Sequence, residues 1–580
     1  MAKELLLGNE AIARGAWEAG CRLVSSYPGT PSTEVTENCA KYPEMYTEWA
    51  TNEKVAAEVA VGASIGGARA LCCMKHVGLN VAADPLYTAA YTGVLGGLVL
   101  NVADDPGMHS SQNEQDSRFH ARASIVPMLE PSDSQECLDY TKAAFALSER
   151  FDTPMLLRTT TRIAHARSMV QLSGREEAAV KEYQKNPMKN VMMPGMARAR
   201  HIIVEQRMTD MAEYANDCEW NRTEMRGTKV GVITSGICYQ YVREALPEAS
   251  ILKLGLVHPL GERLIREFAA KVSELFIIEE LEPVIEEQVR AMGIACKGKE
   301  LTGRQGELSV NKVKKIMGEA VPEYHELPMV APQRPPIMCA GCPHRGPYSI
   351  LAKLKMHVMG DIGCYTLGAL PPLSALDASL CMGASVGLAQ GITRARGEAF
   401  GKNTVAVIGD STFLHSGVPS LISAAYNKSP MTLMILDNRI TGMTGHQPNP
   451  ASGKDIHGNE AEVLDIEALC RACGVKRVRT LDAFDLAGLE AAIKEETATD
   501  EVSVIIARRA CALLDKSAYK PALAIDKDKC KKCMACMKMG CPAIVKGEDG
   551  LSIDAAQCVG CELCIQTCKF GAITKAGERA

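Results

Sequence analysis

The sequence predicts a multidomain α/β chain built on parallel sheets, followed by a small cysteine-rich α+β domain at its C-terminus. Three observations carry this. Short apolar runs alternate with helical patterns over most of the chain, the signature of a parallel sheet with crossover helices. A proline-rich stretch near Pro322–Pro336 breaks that alternation. Of the 23 cysteines, eight fall between Cys530 and Cys568, in two spaced groups.

At 580 residues the chain is long enough for several domains. Hydrophobic residues at 47% and charged residues at 23% suit a soluble globular protein. The net charge of -5 gives no basis for nucleic acid or a membrane surface as partner. Met1-Ala-Lys-Glu lacks a signal-peptide layout, and the apolar stretch Ala89–Ala103 is broken by Thr92, glycines and Asn101. The expected location is cytoplasmic, where thiols stay reduced and spaced cysteines read as metal ligands.

In chain order, residues 1–173 form the first α/β region, with strand-like Cys21–Ser25, an Ala/Gly-rich helix Val55–Ala70 and strand-like Gly97–Val102. Residues 174–227 read as a long connection with some helix. A second α/β unit, 228–321, opens at Val230-Gly-Val-Ile-Thr-Ser-Gly, with further strands at Ile251 and Leu275. A linker, 322–336, leads to a third α/β region, 337–515. The cysteine-rich domain occupies 521–580.

That last domain reads Cys530-x2-Cys533-x2-Cys536-x4-Cys541-Pro, then Cys558-x2-Cys561-x2-Cys564-x3-Cys568. In two-cluster ferredoxins each closely spaced triplet wraps one [4Fe-4S] cluster and the distant fourth cysteine serves the other. The expected sets are Cys530, Cys533, Cys536 and Cys568 for one cluster, and Cys558, Cys561, Cys564 and Cys541 for the second. The x4 gap and Lys569 in place of a proline depart from the usual pattern without removing a ligand. Four-cysteine zinc sites are the alternative, disfavoured by two triplets each with a trailing fourth.

In the third region, Thr404-Val-Ala-Val-Ile-Gly409-Asp410 reads as a buried strand ending in a Gly-Asp turn. A second strand, Met431–Leu436, ends at Asp437-Asn438. Two parallel strands put Asp410 and Asn438 at the carboxyl edge of the sheet, where α/β folds bind ligands. With the Ile440 main-chain carbonyl they form an oxygen set for Mg²⁺ carrying a diphosphate. This is the thiamine diphosphate motif, with Ser411 where glycine is usual; an ordinary βαβ turn pair is the alternative. Gly383-Ala-Ser385 opens a helix whose N-terminus is expected to take the diphosphate. Such a cofactor also needs an acid at its pyrimidine ring. Glu53, opening an Ala/Gly-rich helix and followed by Gly78 in a turn, is preferred over Glu58.

These residues resemble the 2-oxoacid:ferredoxin oxidoreductases, and among them the alpha-subunit family of the indolepyruvate ferredoxin oxidoreductases. The segments that carry the resemblance are Tyr27-Pro-Gly-Thr30-Pro-Ser, Cys339-Ala-Gly-Cys342-Pro-His-Arg-Gly, Asp361-Ile-Gly-Cys364-Tyr-Thr-Leu-Gly, Cys381-Met-Gly-Ala-Ser and Gly442-Met-Thr-Gly445-His-Gln. With the ferredoxin tail they span nearly the whole chain. The resemblance implies a thiamine pyrimidine-binding domain at 1–173, a transketolase C-terminal-like domain at 228–321 and a thiamine diphosphate (Mg²⁺) domain at 337–515, with the cofactor held between the first and third. It implies a third, proximal [4Fe-4S] cluster on Cys339, Cys342, Cys364 and Cys511; buried free thiols are the plainer reading. Cys470, Cys473, Cys72 and Cys73 read as core thiols.

The resemblance also places Thr30 near substrate and cofactor. A substrate carboxylate wants an arginine, and Arg122 is preferred to Arg118. His76, His109 and His446 line the pocket or are merely structural. The implied reaction is oxidative decarboxylation of arylpyruvates (indolepyruvate, phenylpyruvate, hydroxyphenylpyruvate) to aryl-acetyl-CoA, with coenzyme A as cosubstrate and ferredoxin as acceptor. The implied assembly is a dimer of heterodimers with a smaller beta subunit. Oxidation of pyruvate or a branched-chain 2-oxoacid is one alternative. An electron-relay subunit with a vestigial thiamine fold is the other.

Overall fold

The computed structural model describes residues 2–323, 335–514 and 516–575. Most of the expected linker, 324–334, lies outside the described residues. The chain divides into two compact units, Met1–Leu327 and Pro328–Ala580.

The first unit is organised by a seven-stranded sheet in the order Leu256–His258, Met128–Leu129, Met155–Thr160, Leu98–Asp104, Ala70–Lys75, Leu23–Ser26, Tyr46–Trp49. Six of these strands run parallel. Near-continuous apolar runs such as Ala70-Leu-Cys-Cys-Met are what a sheet covered on both faces requires, and that strand is buried throughout. The seventh strand, Leu256–His258, pairs antiparallel with Met128–Leu129. It comes from the region expected to form a separate unit at 228–321, so that expected boundary is crossed by a sheet. The four-stranded sheet Glu274–Ile278, Val230–Ser235, Ser250–Leu254, Arg222–Glu224 lies in the same compact unit. Buried ion pairs tie the two sheets: Arg118 holds Asp116 and Glu279, each at 2.6 Å.

The Ala/Gly-rich helix spans Glu53–Ile65, not Val55–Ala70. Gly66 and Gly67 end it, the latter at φ +92°, and Ala70 already begins the next strand. Asn52 caps the helix by accepting from the Val55 amide.

The second unit carries a five-stranded parallel sheet ordered His357–Met359, Thr404–Gly409, Met431–Asp437, Val502–Arg508, Arg477–Asp482. The cysteine-rich segment adds two antiparallel ribbons, Leu523–Ile525 with Ile573–Lys575 and Ile544–Gly547 with Gly550–Ile553. A small core of Leu523, Ile544, Leu551 and Ile573 packs around Cys536 and Cys564. Among the described residues no helix is long and apolar enough to cross a membrane.

Candidate active site

Strands Thr404–Gly409 and Met431–Asp437 pair directly and in parallel, so Asp410 and Asn438, each one residue beyond its strand, emerge side by side at the sheet's carboxyl edge. One terminal atom of the Asn438 amide lies 3.0 Å from Asp410 Oδ1 and 2.9 Å from the Ile440 carbonyl. As nitrogen it donates to both; as oxygen it completes with them a triangle of oxygens, the donor set a hard divalent cation takes. Asp410 Oδ2 is buried and has no hydrogen-bond donor among the described residues. Burial, followed by the neighbouring Asp437, pushes the Asp410 carboxyl up to about 7. An under-neutralised buried carboxylate beside two further oxygens fits Mg²⁺.

Ser411, where glycine is usual, accepts a hydrogen bond from Thr441 Oγ1 at 2.8 Å and so ties the two loops together. Gly409 has no room for a side chain, since a Cβ there would lie 2.6 Å from the Tyr365 ring.

Gly383 and Ser385 are held by Asp361. Their amides donate to Asp361, at 2.8 Å to Oδ1 and 3.0 Å to Oδ2. An internal carboxylate therefore already caps this helix N-terminus. Gly383 instead supplies a positive φ of +89° and close approach to Ser416. Ser385 Oγ is buried beside the same Asp361 carboxylate.

Cys339 and Cys364 lie within electrostatic range of Cys342, as do Cys511 and Cys339 of Cys364. The Cys511 amide donates to the Asn438 carbonyl at 3.0 Å, which sets this cysteine group against the Asp410–Asn438 edge. In the C-terminal domain, one small cavity is lined by Cys530, Cys533, Cys536 and Cys568 with Ile525, Met534, Leu551 and Phe570. Cys541, Cys558 and Cys561 cluster about Cys564. Each group thus joins one triplet to the other triplet's distant cysteine. Four sulfurs around an apolar hollow fit an iron–sulfur cube. Among the described residues no three Cys, His, Asp or Glu side chains are gathered closely enough for a single metal ion. Cys470, Cys72 and Cys73 are buried, on a helix and a strand respectively.

In the first unit Glu53 is the first residue of its helix and is buried. Its carboxyl packs on Gly78, where a Cβ would lie 2.5 Å from Glu53 Oε1 and 2.7 Å from its Cγ. Gly78 sits in the helix His76–Val81 rather than in a turn, because the chain turns helical directly after Lys75. Glu58 lies on the outer face, half exposed and paired with Lys54. Gly78→Ala is expected to displace the Glu53 carboxyl. Misplacement by about 1 Å costs on the order of 10²-fold in rate, to be read as kcat with the melting temperature as control.

Arg118 is fully buried and committed to Asp116, Glu279 and the Glu280 and Glu282 carbonyls. Arg122 lies at the surface with Glu287 at 3.5 Å and the Phe119 ring. His109 pairs with Glu307 at 3.0 Å, and His446 is exposed.

The cation beside Thr30 is Lys75, which sequence reasoning missed. Its stem crosses Gly29, and its Nζ donates to the Ser110 carbonyl at 3.0 Å, while Ser110 Oγ donates to the Thr30 carbonyl at 3.2 Å. Lys75 is only 9% exposed. Among the described residues no carboxylate forms an ion pair with it. Asp105, the acid that acts on it most strongly, is engaged by Thr161, Ser110 and Ser111. Burial draws the Lys75 ammonium down to about 8 despite Asp105 and Glu53 nearby. The only sequence signal was a lysine ending an otherwise apolar strand.

Three family models match: Pyruvate flavodoxin/ferredoxin oxidoreductase, thiamine diP-bdg, over residues 14–233; Thiamine pyrophosphate enzyme, C-terminal TPP binding domain, over 361–507; and 4Fe-4S binding domain, over 551–574. The chain is 40% identical to the indolepyruvate oxidoreductase subunit IorA of Archaeoglobus fulgidus, across 99% of this chain and 98% of that protein. The chain belongs to the IorA family of indolepyruvate oxidoreductase subunits. The IorA protein of Methanothermobacter marburgensis is 41% identical over 99% of this chain and 97% of its own. The 2-oxoglutarate synthase subunit KorA of Archaeoglobus fulgidus is 25% identical, over 51% of this chain and 94% of that protein. Family membership makes this chain a subunit of a thiamine-diphosphate-dependent, iron–sulfur oxidoreductase.

Proposed function

We propose that the chain is the catalytic alpha subunit of an enzyme that oxidatively decarboxylates arylpyruvates such as indolepyruvate, forming aryl-acetyl-CoA and reducing ferredoxin. The observation that carries this reading is the hydrogen bond from the Cys511 amide to the Asn438 carbonyl. It supports the reading by holding Cys511, one of the four cysteines proposed for the proximal cluster, against the Asp410–Asn438–Ile440 oxygen set, and a decarboxylase that released no electrons would have no use for a cluster there.

When bound, thiamine diphosphate supplies the nucleophilic carbon and the electron sink that decarboxylation of a 2-oxoacid needs. Asp410, Asn438 and the Ile440 carbonyl hold its Mg²⁺, and the Ser411–Thr441 bond keeps the two loops in register. Glu53 holds a proton at the pyrimidine nitrogen, and Gly78 leaves room for its carboxyl. The Cys339, Cys530 and Cys558 sets would each hold a [4Fe-4S] cluster, which would supply one-electron transfer away from the thiamine site. A smaller beta subunit completes the enzyme as a dimer of heterodimers.

Lys75, rather than Arg122, holds the substrate carboxylate beside Thr30, because Lys75 is the buried cation there and Arg122 is turned to Glu287. A charge-assisted bond contributes about 1.5–3 kcal/mol. Lys75→Met is therefore expected to raise KM for the 2-oxoacid roughly 10- to 100-fold. With the ammonium drawn down to about 8, kcat/KM falls as pH rises through that value. Lys75→Arg keeps the charge and removes that alkaline limb. A limb unchanged in Lys75→Arg contradicts the assignment.

The reading is tested by purifying the chain anaerobically with its partner and following ferredoxin or viologen reduction by indolepyruvate and by pyruvate, with and without coenzyme A and thiamine diphosphate. Reduction that needs both cofactors and favours the aryl acid supports the whole reading. Preference for pyruvate retains the chemistry and overturns the substrate. No cofactor-dependent reduction from cluster-replete protein leaves an electron-relay subunit.

A further inference from the structure

Arg345 opens the helix Arg345–Leu354 and is 2% exposed. Its guanidinium makes three hydrogen bonds, all to main-chain carbonyls. Nε donates to Cys339 at 3.1 Å, Nη2 to Met338, and Nη1 to Met539 at 2.9 Å. Two of these carbonyls belong to the Cys339–Cys342 loop. The third lies two residues before Cys541, in the C-terminal domain.

The two loops also touch directly. Gly341, at φ +69°, packs so closely that a Cβ would lie 2.4 Å from Val559 Cγ2 and 3.8 Å from the Cys561 Cβ. The Cys558–Cys561 turn therefore rests on the Cys339–Cys342 turn. Among the described residues no Asp or Glu forms an ion pair with Arg345. The sulfurs of Cys342, Cys541, Cys339 and Cys561 lie within electrostatic range of it.

A guanidinium does not give up its proton, and burying one without an anion is costly. Three carbonyl dipoles offset part of that cost, and neutral thiols add little. Clusters held by four thiolates bring net negative charge that grows with each electron taken up. Two of the four sulfurs near Arg345 belong to the proposed Cys339 set and two to the proposed Cys558 set, whereas Arg345 does not line the cavity of the Cys530 set.

We propose that Arg345 is the shared counter-cation of two iron–sulfur clusters, one on Cys339, Cys342, Cys364 and Cys511 and one on Cys541, Cys558, Cys561 and Cys564. It makes the second of these the entry point for electrons into the C-terminal domain. One electron leaves the reduced proximal cluster, which returns to its oxidised state, and reduces the neighbouring cluster, with no bond or proton exchanged. Because reduction adds negative charge beside the guanidinium, Arg345 favours the reduced form of both clusters. The inference rests on the cluster assignment proposed above.

The test is a dithionite titration with mediators, followed by electron paramagnetic resonance, on the anaerobically purified complex of this chain with its partner. In Arg345→Gln two reduction steps of this chain are expected to move to lower potential, each by at least tenfold in the reduction constant, about 59 mV for one electron. The third step, from the Cys530 set, stays in place and serves as internal control. Arg345→Lys, which keeps the charge but loses the fork, holds all three steps near the wild-type values. A cluster-replete Arg345→Gln protein in which no step moves, or all three move together, overturns the proposal. Should Arg345→Gln yield no clusters, displaced steps in Arg345→Lys overturn it equally, and unmoved steps support it. Wild-type iron content too low for a cluster on the Cys339 set instead removes the underlying assignment, and the inference with it.

Discussion

Glu53→Gln lowers kcat for 2-oxoacid oxidation by about 10²–10⁴-fold, the usual contribution of a positioned acid or base. The glutamine keeps the volume that fills the space over Gly78 and removes only the ability to hold a proton. Thiamine diphosphate affinity and iron content are expected to stay near wild type, so the loss falls on kcat alone. Glu58→Gln is the matched control, because Glu58 lies at the surface with Lys54. Steady-state kinetics of both variants, with equilibrium binding of thiamine diphosphate, check this. Equal losses in the two variants contradict the assignment of Glu53.

Asp410→Ala weakens retention of thiamine diphosphate and Mg²⁺ by more than about 100-fold. Loss of an outer-shell partner of a metal already costs 10–100-fold, and Asp410 is proposed as a direct ligand. The fold is expected to tolerate the change well. Asp410 Oδ2 has no donor among the described residues, and its carboxyl is pushed up by burial, so the buried charge is a burden to the apo chain. Isothermal titration with Mg²⁺ and thiamine diphosphate, beside thermal unfolding of the apo protein, separates the two effects. Undiminished cofactor binding excludes the oxygen set formed with Asn438 and Ile440.

What the sequence revealed and what it concealed divide along the range of the interactions involved. The juxtaposition of Asp410 and Asn438 was legible because two short strands and their terminal residues are local patterns, and parallel pairing does the rest. The two cysteine triplets stand out in the sequence because a cube would impose fixed short spacings on each. Asp361 escaped notice: its carboxylate caps a helix that begins more than twenty residues later, at Gly383 and Ser385. No local spacing announces such a contact. Lys75 was hidden for the opposite reason. It ends a buried strand where a lysine stem is easily accommodated, and only the approach of Gly29 and Ser110 marks its head as special. Arg345 joins a loop to a carbonyl nearly two hundred positions away, at Met539, which no pattern in one sequence encodes. The strand Leu256–His258, which joins the first sheet from the second α/β region, is a tertiary pairing of the same kind.

The central claim is that electrons from 2-oxoacid oxidation enter clusters held by this same chain. It is tested most directly by adding indolepyruvate to the anaerobic, thiamine-loaded complex without ferredoxin and freezing the sample for electron paramagnetic resonance. The account predicts reduced [4Fe-4S] signals that appear with substrate, are absent without thiamine diphosphate and are lost in Glu53→Gln. Clusters that dithionite reduces but indolepyruvate leaves silent, in protein shown to hold the cofactor, would contradict it.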